Sequence, residues 1–281
     1  MTWPAQPHHP DLTSNTEIVT GYTGENSDGT GVWSTDGHGH GTHVAGTIAA
    51  IGNNDEGVVG VNRNGQLKLH IVKVFNNNGN WAWRSSLIAA VEECVDSGSN
   101  VVNMSLGGGG FSQAEYEAYE RIATVDKVLL VAAAGNGGNT AYSYPASYDY
   151  VMSVAATDSN NNVASFSQKN DQVDIAAPGV GVLSTLPASG YASWSGTSMA
   201  TPHVAGVAAL VWSLDTNKSA QEIRAILEQS AEDLGNEGRD NSYGHGLVRA
   251  DRARDLLEGF TLSPTTSPTA APPCTDNPEG W

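Results

Sequence analysis

The sequence predicts an α/β protein in which a parallel β-sheet carries helices on both faces. Apolar, β-branched segments alternate with segments whose apolar residues recur every three or four positions, the pattern of strands followed by helices. Two strand segments also run directly into glycine-rich stretches, "LGGGG" from Leu106 and "AGNGG" from Ala134. Because sites in parallel sheets gather at the carboxyl ends of the strands, these stretches are candidate site loops.

The predicted elements follow one another along the chain. A helix is expected directly after "GHGHG", which begins at Gly37. The segment 85–96 has apolar residues at helical spacing, and Ser-Gly-Ser ends it. On the same criteria, strands are predicted at 67–75, 100–106, 127–135, near 150–155 and at 173–176, and further helices at 112–126, 198–214 and 219–230.

Composition excludes several classes of partner. The chain has 281 residues, with 30 acidic against 13 basic side chains and a formal charge of −17. Nucleic acids and anionic membranes attract cationic surfaces, so neither is an expected partner. Cys94 and Cys274 are too few for a disulfide framework, and we expect Cys94 to be a buried thiol. No run of 18 apolar residues predicts a membrane span, and no signal peptide is recognisable.

The composition changes near residue 261. Residues 1–260 have the apolar patterning of one folded domain, while 261–273, "TLSPTTSPTAAPP", form a Ser/Thr/Pro-rich linker. Residues 274–281 then read as the start of an incomplete further segment. We therefore expect one domain followed by an extended tail.

Three segments carry the chemistry. "GTSMATPHVAG" places Ser198 where a helix begins, and free N–H groups there would support a developing anion. "AAAGN" places Asn136 just past a buried strand, where its amide can donate to an oxyanion. "HGTHVAGT" supplies a histidine, His40, among glycines. A lone histidine in such a loop would ordinarily be a solvated side chain.

Together these segments resemble the subtilisin-like serine proteases, the subtilases, in order and separation. The resemblance covers roughly residues 8 to 257, with further matches such as "VVNMSLGG" and "VDIAAPGVGVLST". It implies an acyl-transfer mechanism with Ser198 as nucleophile, His40 as general base and Asn136 as oxyanion donor. His43 and His203 are then packing residues, and His38 a solvated loop residue. The resemblance also implies the residues that bind extended substrate and line its first pocket: Ser105, Leu106, Gly107, Ala133, Ala134 and Gly135.

The family's catalytic aspartate has no counterpart. It ends a first core strand shortly before a segment like "HPDL", which here occupies residues 9–12, and residues 1–8 contain no acid. Asp36 is expected to be a solvated loop carboxylate rather than a substitute. Either the first strand has been lost by truncation, which we favour, or the chain is a natural peptide-binding pseudoprotease. On the first view a slot is expected in the fold and activity should be very low. A third possibility is a calcium-stabilised adhesion module built around the tail.

The resemblance further implies a structural calcium ion. Asp11 and the loop "AAIGNNDEGVVGV" resemble a calcium site of the family, with ligands from Asp11, the Asn54 side chain and the carbonyls of Glu56 and Val58. The expected partners are protein or peptide substrates, and the chain is expected to be a monomer. Family resemblance and the Ser/Thr/Pro tail suggest an extracellular location.

Overall fold

The computed structural model describes residues 9–12, 19–21, 33–63, 67–77, 79 and 87–260. Its helices are α1 His40–Ala49, α2 Leu87–Asp96, α3 Gln113–Thr124, α4 Thr197–Trp212, α5 Ala220–Ser230 and α6 Ala250–Leu257. Its strands are β1 Val19–Gly21, β2 Leu69–Ile71, β3 Val101–Met104, β4 Leu129–Ala133, β5 Val151–Thr157, β6 Ile175–Pro178, β7 Val182–Leu186 and β8 Gly190–Trp194.

The parallel sheet is confirmed. Strands β3, β4, β5 and β6 lie side by side in sequence order and pair in parallel, while β1 pairs in parallel with β2 in a separate ladder. Every strand and helix predicted above has a counterpart, usually shorter by a few residues at its ends. The sequence analysis missed β1, helix α6 and the antiparallel hairpin of β7 and β8.

Helices cover both faces of this sheet, and alternate residues of one strand show it. Leu129 and Val131 of β4 pack in the cluster that contains α4 and α5, whereas Leu130 and Ala132 pack in the cluster that contains α2 and α3. All of β4 is buried, as expected for a strand with helices on both sides. The two clusters form the core and hold the carboxyl ends of the strands in place.

A gap separates β2 from β3. In the described residues no strand bridges them, and a cavity of about 590 Å³ lies between them. Its walls come from β2, β3, α2 and α4, and include Ile71, Val102, Ala90 and Ala205. Each of the two strands therefore has a strand partner on one edge only, since β2 pairs with β1 and β3 with β4. The loss of a first strand stays a prediction of the sequence analysis.

The structure also bears on the predictions for Cys94, for a membrane span and for the C-terminal tail. Cys94 is a free thiol that is half-buried by surface exposure and lines the gap, and burial raises its pKa to about 11. None of the helices in the described ranges is long and apolar enough to cross a membrane. The predicted linker at 261–273, the segment 274–281 and Cys274 lie outside the described residues.

Candidate active site

Ser198 stands in the first turn of α4. This helix begins after Gly196, which has no side chain to cap it. The Thr197 N–H donates to Asn136 Oδ1 and the Met199 N–H to the Gly196 carbonyl, so among the described residues it is the Ser198 N–H that is open to a ligand. The Ser198 hydroxyl donates to the Ser105 carbonyl at 3.3 Å. The helix N-terminus and the carboxyl end of β3 thus meet at the nucleophile candidate.

The Asn136 side chain is held in one orientation beside Ser198. Its Oδ1 accepts hydrogen bonds from the Thr197 backbone N at 2.8 Å and the Thr197 hydroxyl at 2.9 Å. Its Nδ2 is thereby directed away from Thr197. A methyl group built on Gly196 would lie 3.6 Å from Asn136 Nδ2 and 3.7 Å from the Ser198 backbone N. The two donors therefore face a common space, which is the geometry that an oxyanion site requires.

His40 is the first residue of α1, which packs against α4. Val44 and Ile48 of α1 share a core cluster with Met199 of α4, and Trp194 packs against the same cluster. The Trp194 ring lies 6.4 Å from the His40 ring, centroid to centroid. The sequence analysis did not single out Trp194, although an aromatic residue four positions before the serine was a visible signal. Packing of α1 on α4 brings the N-terminal ends of both helices to one region.

His40 has no carboxylate partner among the residues that the structure describes. Within the described residues no hydrogen bond joins its ring to an acid, or to Ser198. The pKa of His40 is lowered to about 4, first by burial and also by the neighbouring His38 and His43, while Asp36 acts in the opposite direction. A neutral imidazole with this pKa is a weak proton acceptor. The structure thus places His40 beside Trp194, four residues before Ser198, and within the described residues no carboxylate bonds to its ring.

The prediction for Asp36 is wrong. Its side chain is only 2% exposed, because its carboxylate accepts hydrogen bonds from the backbone N–H groups of His38, Gly39 and Thr42 and from the Thr42 hydroxyl. An ionised carboxylate can be buried when several donors satisfy it. Asp36 is a structural part of the loop before α1 rather than a solvated side chain.

The remaining histidines behave as expected. His43 is fully buried, stacks on Trp194 at 4.9 Å and bonds through Nε2 to the carbonyls of Val182 and Ala192. His203 bonds the Met199 carbonyl one turn earlier in α4. His38 is exposed in the loop before α1. Within the described residues, none of these three forms a hydrogen bond with Ser198.

The two predicted substrate segments lie side by side. They follow β3 and β4, whose parallel pairing matches Met104 with Ala132. A methyl group on Gly107 would lie 3.6 Å from the Ala133 carbonyl, and the Gly135 backbone N donates to the Thr197 hydroxyl at 3.3 Å. The pairing therefore brings the segments of Ser105, Leu106 and Gly107 and of Ala133, Ala134 and Gly135 to one edge, beside Ser198.

The predicted calcium-binding residues also come together. Asp11 is fully buried, and its carboxylate accepts from Asn54 Nδ2 at 2.8 Å and from the Val58 backbone N at 2.9 Å. The Glu56 backbone N donates to Asn54 Oδ1 at 3.3 Å. One carboxylate, one side-chain amide and loop carbonyls are the hard oxygen donors that suit Ca²⁺. In the described ranges there is no group of three acidic, histidine or cysteine ligands.

A serine at a helix N-terminus, with an amide donor facing the same space, characterises serine hydrolases as a class. Comparisons with known proteins narrow this class. The sequence model of the subtilase family, peptidase S8, matches residues 4–246. The chain belongs to the subtilase family and is by family a serine endopeptidase.

Individual relatives agree with this assignment. The chain is 50% identical to subtilisin BL of Lederbergia lenta over 218 residues, 78% of each protein, and 44% identical to subtilisin DY of Bacillus licheniformis over 225 residues, 79% of each. The crystal structure of the psychrophilic subtilisin-like protease Apa1 from Pseudoalteromonas sp. AS-11 matches with a TM-score of 0.83 at 33% identity. That match covers 92% of this chain and 91% of the other.

The buried histidines predict acid sensitivity. Burial lowers the pKa values of His40, His43, His70 and His203 in the folded chain. Below the unfolded-state pKa near 6.5 the unfolded chain binds more protons, so the free energy of unfolding should fall as pH drops from about 6.5 toward 4. Urea unfolding at several pH values measures this. A free energy that stays constant or rises over that interval would contradict the assigned burial.

Proposed function

We propose that this chain carries out peptide-bond hydrolysis through Ser198, His40 and Asn136. The observation that carries the proposal is the common space faced by Asn136 Nδ2 and the Ser198 backbone N, next to the Ser198 hydroxyl. Substrates are proteins or peptides, as in the family. An extended peptide would lie between the segments that follow β3 and β4.

The residues have separate roles in acyl transfer. His40 accepts the Ser198 proton as the hydroxyl oxygen attacks the substrate carbonyl carbon, and the carbonyl oxygen becomes an anion. Asn136 Nδ2 and the Ser198 N–H donate to that anion. His40 then returns the proton to the leaving amine, and water hydrolyses the acyl-enzyme by the same steps in reverse order.

We further propose that the described residues support only slow turnover, because no carboxylate orients His40 or stabilises its cation. The gap between β2 and β3 is where a strand carrying such a group would fit. The alternative is a pseudoprotease, which would bind peptides along the same edges without hydrolysing them. A pKa of about 4 for His40, with no described carboxylate bonded to its ring, is compatible with that alternative, so a measurement of activity must distinguish the two.

Labelling of Ser198 by a fluorophosphonate distinguishes a slow protease from a pseudoprotease. The chain should react slowly, Ser198→Ala should not react, and His40→Ala should react more slowly still, because His40 remains the only base. In subtilisin itself, loss of the triad aspartate alone lowers kcat by about 3 × 10⁴, and we expect casein hydrolysis to show a deficit of that order. Reaction that is unchanged in His40→Ala would contradict the mechanism. Absence of any Ser198-dependent labelling would favour the pseudoprotease.

We also propose that Ca²⁺ binds at Asp11. The ion would be held by the Asp11 carboxylate, the Asn54 side-chain oxygen and the carbonyls of Glu56 and Val58. For Asn54 this requires its amide oxygen, rather than Nδ2, to face Asp11. Binding would link residues 9–12 to the loop after α1, which already meet through the hydrogen bond from Ile51 N to Asp11 O.

Calcium removal tests this site. At a calcium concentration about 100 times Kd, binding to the folded state contributes about 2.7 kcal/mol, which corresponds to a Tm increase of about 5–10 °C for a chain of this size. Asp11→Asn should abolish the difference between calcium and chelator, while Asp158→Asn, in another loop, should retain it. An equal Tm with and without calcium would contradict the proposal.

Finally, we propose that the protein acts outside the cell as a monomer. The location is supported by its similarity to the subtilisins and by the Ser/Thr/Pro-rich composition of 261–273. The charge of −17 favours repulsion between copies.

A further inference from the structure

The carboxylate of Asp36 organises the loop before α1. Oδ1 accepts from the backbone N–H groups of His38 at 3.1 Å and Gly39 at 2.7 Å. Oδ2 accepts from the Thr42 backbone N at 3.0 Å and the Thr42 hydroxyl at 2.6 Å. The donors of these four bonds lie both before and after His40 in the sequence.

The start of α1 depends on this carboxylate. A helix leaves its first N–H groups without intrahelical partners, and a capping side chain usually accepts from one of them. Here the N-cap is Gly39, which has no side chain and a positive φ of 91°. Asp36 supplies the acceptor instead, three residues earlier, and its negative charge lies at the positive end of the helix.

A buried lysine anchors the other side of the loop. Lys73 is fully buried, and its Nζ donates at 2.6 Å to the Thr35 carbonyl and at 2.6 Å to Asn77 Oδ1. The same Asn77 oxygen accepts from the Gly37 backbone N at 3.3 Å. Because Lys73 follows β2 by two residues, these bonds tie the loop to the edge of the sheet.

We propose that Asp36 is a positioning residue for His40: its carboxylate fixes the first turn of α1 and so holds the imidazole toward Ser198. This inference rests on the proposed function of the same site. Asp36 does not replace the missing catalytic acid, because its two oxygens bond to His38, Gly39 and Thr42 rather than to the His40 ring. It acts on His40 through the backbone and through its charge.

The charged and titratable groups around His40 shift its pKa in opposite directions. Asp36 raises the pKa of His40, whereas His38 and His43 lower it. Burial lowers the pKa of Lys73, and Asp36 opposes this effect. Removing the Asp36 charge should therefore make His40 a still weaker base, in addition to loosening the helix start.

The test is a double-mutant cycle on Ser198 labelling by a fluorophosphonate. Asp36→Asn keeps the shape but directs an NH₂ group toward donors, and it should lower the labelling rate about tenfold, less than the roughly hundredfold cost of a 1 Å misplacement. In a His40→Ala background the same change should have no further effect, because there is no imidazole to position. Asp158→Asn, which removes a carboxylate that organises another loop, is the matched control and should label at the parent rate.

A second pair of variants covers the case in which Asp36→Asn does not fold. Thr42→Val removes one donor to Asp36 and should slow labelling a few-fold, whereas Thr42→Ser retains the hydroxyl and should restore the rate. An equal loss from Asp36→Asn with and without His40, or equal rates for Thr42→Val and Thr42→Ser, would overturn the positioning role. If His40→Ala alone leaves the rate unchanged, the proposed mechanism fails instead, and the cycle separates that result from the failure of this inference.

Discussion

The parallel pairing of β3 with β4 is the constraint on which the site depends. It brings the carboxyl ends of both strands to one edge of the sheet, where α4 begins. Thr197 then joins the start of α4 to the end of β4, since its hydroxyl accepts from Gly135 N and donates to Asn136 Oδ1. Ser198 is the next residue and bonds the Ser105 carbonyl at the end of β3. A shift of either strand by one residue would separate the nucleophile from its anion-binding groups.

Among the described strands, β3 has no strand partner on the edge that faces away from β4. A parallel sheet normally continues through paired strands that are buried on both faces. Here the described strands leave a cavity between β2 and β3, and no described carboxylate lies against His40. Burial lowers the pKa of His40 to about 4, although Asp36 acts in the opposite direction. The residues that we propose as nucleophile and anion-binding groups lie together, while no described carboxylate bonds to the proposed base.

Much of this arrangement could be predicted from the sequence, because it depends on local patterns. The strands that flank the glycine-rich stretches and the helix after Ser198 follow from apolar periodicity and from segments that resemble a known family. The hairpin of β7 and β8 was missed because its burial does not follow apolar residues: the polar Ser184 and Thr185 are fully buried, whereas Leu183 is exposed. The burial of Asp36 was missed because its donors are backbone N–H groups and Thr42, which no residue pattern shows. Likewise, the stacking of Trp194 on His43 joins residues 151 positions apart in sequence. This contact could therefore be recognised only in the folded structure.

The central claim is that His40 lacks only a carboxylate delivered by a strand in the gap between β2 and β3. The most direct test joins to the chain, through a flexible linker, an apolar segment of about six residues, the common length of a strand, that ends in aspartate. A matched segment ending in asparagine is the control. NMR titration of the His40 imidazole should show a higher pKa with the aspartate segment than with the asparagine segment, because a nearby anion favours the imidazolium, together with faster peptide hydrolysis. A His40 pKa and a hydrolysis rate that are equal with both segments would contradict the account.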